Sequence, residues 1–595
     1  LSDNVEFFGN ANYNSKEVTG GFYYRNPTNR GGVYTRTDDQ GTKDDKTDDI
    51  RYLIFGDLTP GPVGQDNSAF PLLSTGDGID CPTDVQVTGA VLDQVNVSAG
   101  PYANCFNFQE TIPGGFTPNF GGEITDYAIL VGLRGETDSG MFWSVSAYNG
   151  SNEADFFINN TVNASLGPLT PRNFDAGSYE QEDMSFNADF SMTLSDSMSL
   201  AFGAEYRIEE FTIGAGQAES YIDGGLGDQG FSTSTNGFPG FSPAISGSWE
   251  RKNYAVYSDL EWTPSEDLLV AGALRFEDFD TFGTTTNARF GINYAYSDNL
   301  GFRATASTGF KAPTPGQENA SNISTQIIAG VLTNQGVIPP TSGPATLYGG
   351  GALGPEESEN FTVGVYGSVG RFDFTVDYFD ISIDDRLSLS SDYSLTEDNR
   401  TALTGQGIDA SDISQFRFFT DSFDTNTSGL DVVVSTETEW LSGVTNWSLA
   451  YNRSSTSVTD IKLFPDADGL PQPLIDENRV QLIEDGVPNS RWVMTAQHDM
   501  GQMDYLVRVS YYGKYYDSEA GGVFDDAMLL DLELGYDVSE DLRGSFGIRN
   551  ATNEKGCRAG SCGTTPATVL GLPYSQFTPY GFNGAFMYGR LSYSF

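Results

Sequence analysis

GFNGAFMYGRLSYSF, Gly581 to Phe595, closes the chain, and its alternation decides the fold. Ala585, Met587, Leu591, Tyr593 and Phe595 fall on one face, with Gly589 in the same register. Arg590, Ser592 and Ser594 fall on the other, and only Phe586 and Tyr588 blur the start. Side chains of a strand alternate with period two, so one face is built for an apolar phase and the other for water. One such strand would also suit the edge of a soluble sheet.

The pattern recurs upstream. Met528, Leu530, Leu532, Leu534, Tyr536 and Val538 alternate with Asp531, Glu533, Gly535 and Asp537. Ala288, Phe290, Ile292, Tyr294 and Tyr296 alternate with Arg289, Gly291 and Asn293, and Leu542, Phe546 and Ile548 with Arg543, Ser545 and Arg549. Charges at every second position cannot sit in the dry core between two packed sheets. They fit an all-β, transmembrane antiparallel barrel whose outside meets lipid and whose lumen holds water. An ending of alternating aromatics on a terminal Phe is similar to the signal by which outer-membrane barrels are recognised for assembly.

Punctuation agrees with that reading. Turn chemistry marks Glu136–Gly140, Ser195–Ser197, Pro264–Asp267, Ser297–Asn299, Ser368–Gly370, Leu441–Gly443, Gly501–Gln502 and Ser539–Asp541. Between these turns run long connections over 27–122, 217–246, 317–354, 389–413, 461–488 and 553–582. Short turns on the periplasmic side and long loops outside is the polarity of an outer-membrane barrel. Segments add up to about eighteen strands, the first over Val5 to Arg25.

Composition narrows the function. Gly 69, an aromatic content of 13 % and a mean hydropathy of -0.32 suit a barrel, where every second strand residue is polar. No run approaches the roughly 18 apolar residues of a spanning helix, so insertion must be by strands. The 595 residues form one domain, 1–595, without an interior linker. A net charge of -50, from 81 acidic and 31 basic residues, excludes nucleic acid as a partner. That charge suits solubility in a salty habitat, or a surface that recruits divalent cations bridging to lipopolysaccharide. No charged-then-apolar leader precedes Leu1, so a signal peptide is expected to be absent from this sequence.

Several stretches together resemble TonB-dependent outer-membrane receptors, the energised nutrient transporters of Gram-negative bacteria. Arg303 to Pro315, RATASTGFKAPTP, resembles the family's strand ending in Gly-Phe-Arg-Ala-Pro, with Lys311 in place of the commoner Arg. Leu353-Gly-Pro-Glu-Glu-Ser-Glu-Asn360 is similar to the element that opens the next strand, and Phe372–Ile381 with Ile383–Arg386 continues it. Gly203–Arg207, Leu274–Phe279 and Gly547–Asn553 match further, so the likeness spans roughly Ser178 to Phe595. The resemblance implies a cell-outer-membrane location, contact with outer-membrane lipid and lipopolysaccharide, a small nutrient ligand, and TonB with its inner-membrane energising complex acting through a plug. It also implies about 22 strands, four more than appear here, and an N-terminal plug domain that this sequence does not show. The expectation is a chain that starts partway into the barrel. A passive porin or a surface adhesin barrel is the alternative.

Candidate site residues follow. Arg275, Glu277, Arg289 and Arg303 are expected on the lumen wall facing a plug, or simply hydrated. Loop aromatics without strand periodicity, Phe106, Phe116, Phe120, Phe231, Phe238, Tyr348 and Tyr574, suit stacking on sugars or rigid organic ligands, or packing between loops. Cys81 with Cys105 and Cys557 with Cys562 are expected as loop disulfides of an oxidising compartment. Zinc is the rival, although the chain's single histidine, His498, lies far from both pairs. Asp44, Asp45, Asp48 and Asp49 in the first long loop, and Asp466 with Asp468, are dense enough to hold calcium or to be solvated loop. No other cofactor is expected. His498 shares a register with Trp492, Met494 and Ala496, which makes it a lipid-side girdle residue, and without a second histidine no Ser-His-Asp chemistry is assembled. The chain is not expected to be an enzyme. Its acidic surface would repel anionic siderophores over a Debye length of about 10 Å in dilute salt, which favours oligosaccharides, cobalamin-like molecules or cationic complexes.

Overall fold

The structure is a computed structural model that describes residues 5–38, 40, 49–58, 81–82, 85–87, 105–328, 331–406, 410, 413–465, 470–518, 522–556, 574–575 and 577–594. An 18-stranded sheet forms the body. Its strands are β1 Val5–Gly21, β2 Asn119–Glu136, β3 Phe142–Asn159, β4 Asn173–Ser195, β5 Met198–Ala215 and β6 Gly247–Ser265. Then come β7 Leu268–Phe279, β8 Gly283–Ser297, β9 Leu300–Lys311, β10 Glu356–Val369, β11 Phe372–Asp384 and β12 Phe423–Trp440. The last are β13 Gly443–Ile461, β14 Ser490–Asp499, β15 Met503–Tyr512, β16 Ala527–Asp537, β17 Leu542–Arg549 and β18 Phe586–Tyr593. Each pairs antiparallel with its successor, as in a meander, with Tyr13 opposite Tyr127 and Leu534 opposite Phe546. Among the described residues no ladder joins β1 to β18.

Period-two patterning builds this wall because its two faces have different solvents. Phe7, Tyr13, Tyr127, Ile129 and Val131 occupy the outward register of β1 and β2 and are exposed. Leu274, Phe276, Phe290, Phe302 and Phe361 do the same on β7 to β10. Arg207, Arg251, Arg275 and Arg303 fall in the opposite register. This is a transmembrane antiparallel β-barrel. Every tight turn expected from the sequence joins two consecutive strands, from β2–β3 through β16–β17.

The other rim carries the long connections, with differences from the sequence reading. β1 ends at Gly21 rather than Arg25, and β2 begins at Asn119, within the stretch expected to be loop. Loops over 160–172 and 513–526 were not anticipated: each has alternating or aromatic residues that mimic strand continuation. The longest helices, Glu397–Gly405 and Glu477–Asp485, span 9 residues and lie in loops. Among the described residues no helix is long and apolar enough to cross a membrane.

Candidate functional site

The loops fold on one another over the mouth of the barrel. A first core joins the loops over 22–118, 160–172 and 216–246: Val33, Tyr34, Ile54, Phe108, Val162 and Leu226 are buried there with Phe106, Phe116 and Phe231. Polar groups close it. The Asn107 side chain accepts from the Gln109 amide at 2.7 Å, the Gln109 side chain donates to the Pro27 carbonyl at 2.7 Å, and the Tyr34 hydroxyl donates to the Ile112 carbonyl at 2.9 Å. Asn163 ties two of the loops, donating to the Glu219 and Ile222 carbonyls at 2.9 and 2.8 Å.

Beneath it lies an aromatic arc on the inward face of the rim, with one ring per strand. Phe120 on β2 stacks on Phe156 of β3 at 5.7 Å, Phe156 meets Tyr179 of β4 at 5.4 Å, Tyr179 meets Phe211 of β5 at 5.3 Å, and Phe211 meets Trp249 of β6 at 6.3 Å. Phe238 and Phe241 from the loop over 216–246 sit on that arc, with Phe238 4.4 Å from Phe120 and Phe241 4.7 Å from Tyr179. The chain reaches this packing through a bulge between Phe156 and Phe157 that places Gly177 at φ +94, where a Cβ would strike the Gly214 carbonyl.

Arg25 links the two layers. It is fully buried where the chain leaves β1, and it donates through Nε to Asn236 Oδ1 at 2.6 Å and through Nη1 to the Tyr23 carbonyl at 2.8 Å. Its guanidinium lies 5.4 Å from the Phe22 ring centroid. Burial pushes its pKa well down, and neighbouring Arg30 adds to that. Gly115, at φ +70, lets the returning strand pass the Arg25 carbonyl, which a Cβ would strike.

A third core gathers Ile338, Leu403, Phe416, Phe418 and Leu474 from the loops over 312–355, 385–422 and 462–489. At its polar margin Gln335 donates to Asp392. Burial raises the Asp392 carboxyl against the opposing pull of the Arg417 guanidinium, and burial lowers both Arg417 and Arg479.

Inside, β4 to β7 carry a lattice of charge. Arg207 pairs with Asp183 at 3.0 Å and Glu209 at 2.6 Å, and Arg251 also meets Glu209. Arg275 is shared by Glu205 at 3.0 Å and Glu277 at 2.9 Å, and Asn253 donates to Glu277 at 3.2 Å. Arg303 on β9 donates to Asp377 on β11 at 2.7 Å. Arg251 also donates to the Pro313 carbonyl, which pins the proline that ends the β9 segment. Glu356, at the start of β10, accepts from the Leu387 amide at 2.7 Å and so anchors the loop after β11.

The expected site residues fall into this frame as follows. Arg275, Glu277, Arg289 and Arg303 occupy the inward register, and Arg275, Glu277 and Arg303 belong to ion pairs of the wall. Phe106, Phe116 and Phe231 are shut inside the first core, and Phe238 is buried over the aromatic arc with Phe120 half-buried beneath it. In this conformation Phe106, Phe116, Phe231 and Phe238 pack between loops, while Phe120 lies on strand β2. Tyr348 packs against Tyr393 at 4.6 Å on the third core, and Tyr574 lies apart, 5.8 Å from the Lys555 ammonium. Cys81 and Cys105 form a disulfide with Cα atoms 5.7 Å apart. Cys557, Cys562, Asp44, Asp45, Asp48, Asp466 and Asp468 lie outside the described residues, while Asp49 is described and half-buried. His498 accepts or donates one hydrogen bond with Thr445 at 2.8 Å and packs 5.4 Å from Trp440 on the outward face. Sequence reasoning missed Arg25, the arc partners Phe156, Tyr179, Phe211 and Trp249, and the acidic partners of the wall arginines. The arc had a signal, an inward-register aromatic near the same end of successive strands.

Residues 74–551 match the model of the TonB dependent receptor-like β-barrel family. No curated protein matches. Among solved structures, the ferric enterobactin receptor PfeA of Pseudomonas aeruginosa aligns with a TM-score of 0.52 at 15 % identity, over 81 % of this chain and 67 % of that one. The siderophore receptor PirA of Acinetobacter baumannii aligns at 0.50 and 15 %, over 81 % and 68 %. The FrpB iron transporter of Neisseria meningitidis aligns at 0.51 and 12 %, over 82 % and 65 %. Their low identity extends the likeness to the fold. The chain is therefore an outer-membrane receptor barrel by class. It belongs to the TonB-dependent receptor family, whose members are receptors for uptake across the outer membrane.

Proposed function

We propose that this barrel takes up a scarce nutrient too bulky for passive pores, binding it in the chamber between the loop cap and the charged wall. TonB, pulling on a plug, supplies the energy for release inward. The observation that carries the reading is the family match across most of the chain, joined to loops that pack into shared buried cores. The wall lattice supports a plug-facing role, since paired charges present a hydrated polar surface against which a domain can slide.

For the ligand, the names of the structural neighbours support a ferric chelate, and the net charge of -50 favours a neutral or cationic complex over an anionic one. Oligosaccharides and cobalamin-like molecules are the alternatives. The test is uptake of radiolabelled ferric chelates of graded charge, together with cobalamin and a panel of oligosaccharides, by a deletion strain with and without the restored gene. The expected result is gene-dependent and TonB-dependent accumulation of a neutral or cationic chelate. Accumulation that persists without TonB would establish a passive porin instead.

A further inference from the structure

The outward, lipid-facing side of β6 to β11 carries a recess. A groove of about 750 Å³ runs over these strands. Its floor is made of small outward residues, Gly272, Ala288 and Ala306, recessed between Leu260, Phe290 and Phe361. Toward the loop rim it opens into a second crevice of about 410 Å³, and the two share Thr308, Glu359 and Ser382. The second crevice is polar and is lined by Glu357, Glu359 and Asp384. Asp380 stands in the same outward row as Phe361 and Phe290, held by the Asn426 side chain, which donates to it at 2.9 Å.

An apolar groove running into a polar, negatively charged crevice at the level where lipid gives way to water has the shape and polarity of one amphiphile. Elsewhere on this rim an outward carboxylate has its own cation, as Glu250 has Lys252. Among the described residues no ion pair involves Glu357, Glu359 or Asp380. Carboxylates at the edge of a low-dielectric phase are costly without a partner charge, and an ammonium donor satisfies both charge and hydrogen bonding. An anionic headgroup would meet repulsion in the same place.

We propose that this groove is a binding site for an outer-leaflet lipid whose headgroup carries a primary ammonium, with an acyl chain on Gly272, Ala288 and Ala306 and the ammonium between Glu359 and Asp380. The proposal is independent of the nutrient and of the plug. The surface it uses faces away from the lumen.

The test is native mass spectrometry of the detergent-solubilised chain, titrated with ornithine lipid, phosphatidylglycerol or phosphatidylcholine of matched acyl chains. Ornithine lipid should be retained about tenfold more strongly than either control, and Glu359→Gln with Asp380→Asn should bring it to within about threefold of phosphatidylcholine. Ala306→Phe, which fills the groove, should weaken retention while leaving the headgroup carboxylates in place. Folding of each variant is checked by heat-modifiable electrophoretic mobility, and Ser258→Leu serves as a second groove-filling variant if Ala306→Phe does not fold. Equal retention of ornithine lipid and phosphatidylcholine, or retention unchanged in the carboxylate variant, overturns the proposal.

Discussion

Replacing Arg25 by alanine should open the loop cap and leave the barrel wall folded. The guanidinium is fully buried and donates to Asn236 Oδ1 at 2.6 Å and to the Tyr23 carbonyl at 2.8 Å. Each hydrogen bond from a charged donor contributes roughly 1.5–3 kcal/mol, and each acceptor stranded in a dry site costs about 1–3 kcal/mol. Against this stands the desolvation of a buried cation, several kcal/mol that the alanine variant recovers. The net expectation is a loss of about 3 kcal/mol for the contact between the two layers, close to two decades in its opening equilibrium.

Hydrogen exchange read by mass spectrometry, on the protein in nanodiscs, reports that equilibrium peptide by peptide. Peptides over 105–118 and 230–241 should exchange about a hundredfold faster, and peptides in β12 to β15 should be unchanged. Asn236→Ala removes one acceptor and should cost about 1–2 kcal/mol. The double variant should be less destabilised than the sum, because both changes delete the same hydrogen bond. Acceleration below about fivefold in Arg25→Ala, or strict additivity with Asn236→Ala, would refute the assignment of Arg25 as the link between layers.

Two further outcomes follow from the same contacts. Replacing both Cys81 and Cys105 by serine releases residues 24 apart in sequence, and chain entropy puts the loss at about 3 kcal/mol. Exchange at Leu53 and Phe55, which pack with Cys105, should accelerate while the strands hold. On the wall, Arg275→Ala leaves Glu205 and the buried Glu277 without their shared cation, and because Arg275 itself is 34 % exposed the loss is discounted to about 1–2 kcal/mol. Adding Glu205→Gln should restore most of it in urea unfolding followed by tryptophan fluorescence; no restoration would mean that Arg275 acts through packing.

The barrel was legible in the sequence because each strand separates two solvents, and that constraint is written locally, every second residue. Phe290 and Arg289 need no knowledge of their neighbours to declare their faces. Every expected turn joins two strands for the same reason, since Gly, Asp and Ser there answer to backbone geometry alone. The cap was not legible, because its contacts join residues far apart with no period. Nothing near Arg25 signals that Asn236 will meet it. Phe106 and Phe231 read as candidate ligand contacts because an aromatic ring without strand register has the same composition signature whether it stacks on a ligand or on Phe108. The wall arginines were readable individually, whereas their partners Glu205 and Asp377 depend on cross-strand register, which the turns determine only once they are all placed in order.

The wall and the cap rest on different interactions, and this separates what can move from what cannot. Wall strands are held by continuous ladders, where losing one strand leaves backbone groups without partners in lipid. The loop over 216–246, by contrast, is held by Phe238 and Phe241 on the inward arc, by Asn163 on the Glu219 and Ile222 carbonyls, and by Arg25 on Asn236. Lifting it would break those contacts and a few main-chain hydrogen bonds, among them Phe241 to Ala176 and Asn236 to Val162, but no ladder between wall strands. It would also uncover Phe120, Phe156, Tyr179 and Phe211, a row of rings facing the lumen on successive strands. Of the rings named from the sequence, Phe120 belongs to that row and Phe238 covers it, so loop and strand meet there through side chains.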